Sequence, residues 1–222
     1  MSLDLRLQRV LDRFELVSGI GEPAKGTMCV MSFVAHLAGE GHTDRPSCAS
    51  PLIRDFVIPI NDDMPREVRQ RLKVFVPRLI GTNDGLDRAR AEVLRSVLAE
   101  VIIPKASGDR RGASPGEPAW RTSLFGRFWI RLLRGKLLRH IGRLIDEAEG
   151  GGHGPGQPAE LANAAGHLLG LCARDATDAR EAEWYWSQAI GLLDRLCEVG
   201  AEGRQGTAGA RAQRAARLES NL

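Results

Sequence analysis

Aromatic residues make up only 5% of this 222-residue chain, with a single tyrosine. Runs of β-branched residues are also few. An all-β fold leans on both classes, so their scarcity argues against one. Lysine is nearly missing: Lys25, Lys73, Lys105 and Lys136 are the only four. Arginine carries the rest of the positive charge, the coding bias of a GC-rich bacterial genome. Net charge is only +3, so bulk electrostatics do not imply a nucleic-acid partner. No apolar run approaches the roughly 18 residues of a membrane-spanning helix. The longest, Met28 to Ala38, is too short. The first fifteen residues are charged throughout, unlike a secretory leader. The four cysteines, Cys29, Cys48, Cys172 and Cys197, lie far apart with no C-x-x-C. They read as reduced thiols of a cytoplasmic protein, packed as small hydrophobes. There is no G-x-S-x-G, no glycine-rich phosphate loop and no dinucleotide fingerprint. No cofactor is expected, and whether the chain is an enzyme stays open.

What is present is organised around Met28 to Pro51. The first half, to Ala38, is apolar on nearly every side, broken only by Ser32 and His36. A helix of that kind must be surrounded by others, and Gly39 is placed to end it. The second half is polar and stiffened by Pro46 and Pro51. Ser50 and Pro51 read as an N-cap and first-turn proline of the next helix.

Along the chain, Leu3, Leu7, Val10, Leu11 and Phe14 form one helical stripe. GIGEPAKG, residues 19–26, reads as a loop. Pro59 predicts a break near 57–60. Asn61, Asp62 and Asp63 offer an N-cap for a helix over 64–74, interrupted by Pro77. Leu86 to Ile102 carry another stripe, ended by Pro104. Residues 105–118 and 150–158 read as exposed linkers. Between them, 120–149 has helical periodicity weakened by Gly126, Gly135 and Gly142, so a split near Gly135 is expected. Two helices follow, at 159–174 and 179–199, then a mobile tail from 201. The fold expected is all-α, a single helical domain of about seven to eight helices. It divides into an N-terminal core over 1–104 and a C-terminal part over 119–200, with a possible C-terminal hairpin subdomain.

Three places offer chemistry. The loop after the apolar helix holds Glu40, His42, Asp44 and Cys48, ligand types that zinc or a harder metal accepts. Their spacing matches no metal signature. Asp44 and Thr43 can instead hold a turn. The segment after 120 carries Arg127, Arg131, Arg134, Arg139 and Arg143, a basic face suited to phosphates or an anionic surface, or to the protein's own acidic residues. In the last helix, Trp184, Tyr185 and Trp186 cannot all point inward, because consecutive helical residues diverge by about 100°. Trp184 and Tyr185 are therefore candidates for a partner surface.

Two resemblances bear on this. Leu169, Gly170, Ala182, Trp186 and Ala189 resemble one tetratricopeptide unit, with no second copy. Small residues there predict close helix packing. Cys29-Val30-Met31, Ala38-Gly39-Glu40, His42-Thr43-Asp44-Arg45-Pro46, Cys48, Asn61-Asp62 and the run Pro77 to Thr82 resemble a group of uncharacterised helical proteins of high-GC bacteria and their phages, over roughly 26–85. That resemblance implies a bacterial, cytoplasmic, helical protein and carries no catalytic role. The function expected is a non-enzymatic one, binding another macromolecule and first of all a protein. The alternatives are a metal-binding or hydrolytic protein centred on the 40–48 loop, and nucleic-acid binding through 121–143.

Overall fold

The computed structural model describes residues 2–108, 124–149 and 157–204, with the backbone alone at 2–6, 124–128, 149 and 204. The chain is mainly helical, and one small sheet interrupts the pattern near its start.

Helix α1 (Ser2–Arg13) buries Val10 and Leu11, and Phe14 follows it into the core. Three two-residue strands, β1 (Glu15–Leu16), β2 (Gly21–Glu22) and β3 (Thr27–Met28), form within and on either side of the expected loop 19–26, and only β2 lies inside it. β3 lies in the middle, parallel to β1 and antiparallel to β2. Glycine makes the pairing possible. Gly21 has φ 78°, and a Cβ there would stand 2.6 Å from Met28 Cα. The outer edge of β1 is closed by a side chain: Gln70 Oε1 accepts from Leu16 N at 3.0 Å, and its Nε2 donates to Leu16 O at 2.8 Å. An amide thus stands where a further strand would pair.

Helix α2 (Val30–Ala38) is buried on all sides except at His36. Its cap is Cys29, whose Sγ accepts from Ser32 N at 3.2 Å, and Gly39 ends it at φ 78°. Helix α3 (Pro51–Asp63) starts as the sequence predicts: Ser50 Oγ accepts from Ile53 N, and Pro51 occupies the first turn. It then runs through Pro59 without breaking. Proline forfeits one helical hydrogen bond, but its ring is buried against Gly166 of a later helix, where a Cβ would meet Pro59 Cβ at 3.1 Å. Asn61, Asp62 and Asp63 form the last turn of α3 instead of capping the next helix. Residues 66–79 are three short pieces: α4 (Arg66–Arg69), a 3-10 stretch (Gln70–Phe75) and α5 (Val76–Leu79). Arg69 caps α3, donating to the carbonyls of Asn61 and Met64.

Helix α6 (Asp87–Val97) does not stop before Pro104. It widens into a π turn (Leu98–Ile102) and resumes as α7 (Ile103–Ser107), with Pro104 in the first turn of the new segment. There a missing donor costs little. Helix α8 (Leu124–Glu149) is unbroken at Gly135. Its second half packs through Ile141, Leu144, Ile145 and Ala148, and Arg134 Nη1 meets Asp175 Oδ2 at 2.8 Å. Helices α9 (Gln157–Arg174) and α10 (Ala179–Glu198) follow, then one turn, α11 (Ala201–Arg204). Asp178 caps α10 by accepting from Glu181 N at 2.7 Å. Of the expected linkers, Lys105–Ser107 and Gln157–Pro158 are helical, and 109–118 and 150–156 lie outside the described residues. The tail beyond 204 lies outside them too.

The core centres on α2 and α3. The small stripe of α9, Ala162, Gly166 and Gly170, lies against α3, so Gly170, one of the small residues expected to pack closely, does so on α3. Helices α8 and α10 flank α9. Arg90 of α6 ties the end of α10 to the core. It is wholly buried, with Nη1 and Nη2 on Asp84, Nη1 also on Asp87, and Nε and Nη2 on the carbonyls of Leu196 and Val199.

Candidate functional site: a closed polar loop and an open basic helix

Gly39 turns the chain out of α2, so Glu40 and His36 do not share a helical face. Glu40 is used by the loop itself. Its carboxylate accepts from Ser47 N at 2.5 Å and from Cys48 N at 2.9 Å. Partial burial works against its charge, but these amides and the Cys48 thiol outweigh it and hold the carboxyl below its ordinary pKa. Cys48 is correspondingly inert. Burial first, then the neighbouring Glu40, push its thiol up to about 12. Thr43 Oγ1 accepts from Arg45 N, a local hydroxyl turn. The carbonyl of Cys48 accepts from Gly81 N and Asn83 N, pinning the loop to the chain before α6.

His42 points back onto α2, its Nδ1 2.9 Å from Ser32 Oγ. Asp44 faces a small pocket of about 30 Å³ at the start of α2, lined also by Ile20, Cys29, Met31, Ile58 and Asp62. Asp62 there accepts from Gly19 N at 2.8 Å and from Ser18 Oγ. Asn61 joins Val17 O to Val30 N. These last two residues hold the strand corner against α2, a role the capping expectation missed. Cys29, raised by burial to about 11, is a protonated thiol at neutral pH. The four loop candidates are thus dispersed: Glu40 and Cys48 meet each other, His42 meets Ser32, and Asp44 lines the pocket. Among the described residues no three His, Cys, Asp or Glu side chains are grouped to hold a metal ion.

The basic segment divides. Arg134 is consumed by Asp175 within the protein. Arg131, Lys136, Arg139 and Arg143 face solvent, and the side chain of Arg127 lies outside the described residues. On the same outward side, Trp129 is 46% exposed and Leu133 47%. Trp129, Leu133, Lys136, His140 and Arg143 follow the 4, 3, 4, 3 spacing of one helical line. His140 Nε2 lies 3.2 Å from Glu160. A shallow hollow runs along the basic end, bordered by Lys136, Arg139, His140 and Arg143, with Asp146 at its margin.

The partner surface expected at Trp184 and Tyr185 is corrected in part. Tyr185 is wholly buried. Trp184 is half-buried, edge-on to Tyr185 at 5.0 Å and under the Lys105 ammonium at 5.8 Å. The phase of α10 is set by Trp186, Ala189, Leu193 and Leu196 turning inward, and Tyr185 shares their side.

No described helix is long and apolar enough to cross a membrane. The chain matches no protein-family model, no curated protein and no solved structure.

Proposed function

We propose that this chain is a non-enzymatic binding protein and that its contact surface is the outer face of α8. One observation carries the proposal: two large apolar side chains, Trp129 and Leu133, stand about half exposed one helical turn apart, beside the solvent-facing cations Lys136, Arg139 and Arg143. Tryptophan and arginine are the residues enriched where protein interfaces concentrate their binding energy. Apolar anchors ringed by cations suit a protein surface that offers a hydrophobic groove bordered by carboxylates. A cytoplasmic, bacterial setting belongs to the same proposal, supported by four cysteines that form no disulfide with one another and by the resemblance over 26–85.

The test is affinity capture with and without nuclease, comparing the wild type with Trp129→Ser/Leu133→Ser and with Arg139→Glu/Arg143→Glu. A protein retained after nuclease and lost by both variants is the expected result. Loss of nucleic acid alone by the charge-reversed variant transfers the surface to the nucleic-acid reading. An unchanged bound set from either variant removes α8 from consideration.

A further inference from the structure

His36 is the odd residue of α2. Every other member of that helix is buried and apolar or, like Ser32, buried and hydrogen-bonded. The His36 Nε2 is sealed from solvent and has no hydrogen-bond partner, alone among the buried side-chain nitrogens and oxygens described. Such an orphan calls for an explanation. A neutral imidazole tolerates the position, because one ring nitrogen carries no proton. An imidazolium carries two N–H donors, and one of them would then be buried without an acceptor.

The surroundings make the charge harder still to accept. Phe14, at the end of α1, lies edge-on to the ring at 5.4 Å and also contacts Phe33 at 5.2 Å. Ser32 and His36 are one turn apart on α2. The His42 ring held on Ser32 Oγ therefore sits on the His36 side. Among the described residues, the groups whose charge bears on His36 are His42, from the loop after α2, and Arg13, from α1. Both are cations when charged, and neither offers the proton an acceptor. The negative end of α2 offers little relief, since the carbonyls of Ala35 and His36 already accept from Glu40 N and Gly39 N.

We infer that His36 is an acid-triggered release for the joint between α1 and α2: when its ring takes up a proton, α1 and Phe14 lift off α2 while the rest of the core stays packed. The boundary of the movement follows from the next residues. Glu15 is held by a two-pronged pair with Arg66, at 2.5 and 2.9 Å, and Leu16 by both ends of Gln70. β1 therefore stays in place and the chain pivots before it. The movement uncovers an apolar face of α2 that includes Phe33.

The direction in pH is fixed by linkage. Burial, then His42 and Arg13, hold the His36 pKa below its ordinary 6.5. The unfolded chain therefore binds the proton first as pH falls. Stability of the joint is full above that ordinary value and drains away below it, down to the folded-state pKa.

Hydrogen–deuterium exchange on the full chain, corrected for intrinsic rates, tests this at about pH 7.5 and about pH 5.5. In the wild type, protection over residues 7–14 should fall by up to about tenfold at the lower pH, the most that one histidine of ordinary open-state pKa 6.5 can supply over this interval, while α3 keeps its protection. His36→Phe, or His36→Gln should the larger ring disturb packing, should keep α1 protected at both values. His42→Asn should keep the response but reduce it, because one of the two cations that oppose the His36 charge is gone while its burial remains. Equal protection of the wild type at the two pH values overturns the inference. So does a loss that persists in both His36 variants, or one that disappears in His42→Asn.

Discussion

Gly166 of α9 faces the carbonyl oxygen of Phe56 so closely that a Cβ would stand 2.7 Å from it. The obstacle is backbone, so it cannot swing aside. Gly166→Ala must push α9 off α3, with an expected cost of about 1–3 kcal/mol or more. In a chain of this size the thermal midpoint should fall by roughly 2–4 °C per kcal/mol. Gly191 of α10 has nothing within 4 Å of the same ideal Cβ. Gly191→Ala should gain up to about 1 kcal/mol from helix propensity. Thermal unfolding of the two variants side by side separates steric closeness from a general effect of glycine.

Arg90 makes five short contacts from a wholly buried position. Burial opposes its charge, and Asp84 and Asp87 overcome that, leaving its pKa raised. Arg90→Met removes the cation but leaves two carboxylates and the last carbonyls of α10 without it. Breaking such a pair from one side costs on the order of 3–5 kcal/mol. The urea midpoint should drop accordingly, and exchange at the end of α10 should rise first. A loss below about 1 kcal/mol would show that the clamp is dispensable.

Glu40 makes the 40–48 loop sensitive to acid. Its folded pKa lies below the ordinary value of 4.5 because the Ser47 and Cys48 groups favour the carboxylate more than burial opposes it. Its contribution is present above the unfolded pKa and is lost as pH falls through the folded one. Glu40→Gln should lower stability by about 1 kcal/mol at neutral pH. It should also flatten the fall in thermal midpoint on the acid side of pH 4.5. An unchanged acid slope would place the sensitivity elsewhere.

The cysteines should be silent in the native state. Cys172 and Cys197 are buried, Cys29 is raised to about 11 and Cys48 to about 12. At pH 8 the thiolate fraction of Cys29 is on the order of 0.1%, and thiolate is the reactive form. Alkylation should be slow until denaturant is added, after which all four thiols should react. Rapid native labelling of Cys29, followed by peptide mapping, would show that the pocket at the head of α2 opens.

Local signals were legible where the structure is decided locally. Gly39 ends α2, and Ser50 with Pro51 opens α3, because a cap needs only its own neighbours. The misreadings share a different cause. Pro59 is tolerated through a glycine more than a hundred positions away, and no pattern around residue 59 discloses that. β1 pairs in parallel with β3 beyond the intervening β2, and its edge is finished by Gln70, so no local pattern marks the strands. The aromatic triplet of α10 limits how many rings can face inward without saying which, and the inward phase selects Tyr185. In the candidate loop the ligand-type side chains were visible in the sequence, as was the capacity for a turn, but not that Glu40 would turn on the amides of the loop it closes.

The dependence of α3 on α9 also has a temporal side. Phe56 and Pro59 leave the ribosome long before Gly166 exists to cover them. Roughly a hundred residues intervene, and at ordinary elongation rates that gap lasts on the order of ten seconds. During that interval the face of α3 that carries Phe56 and Pro59 has no lid. The nascent chain is therefore a natural client for chaperones that shield hydrophobic segments, and synthesis speed between the two helices becomes a determinant of yield.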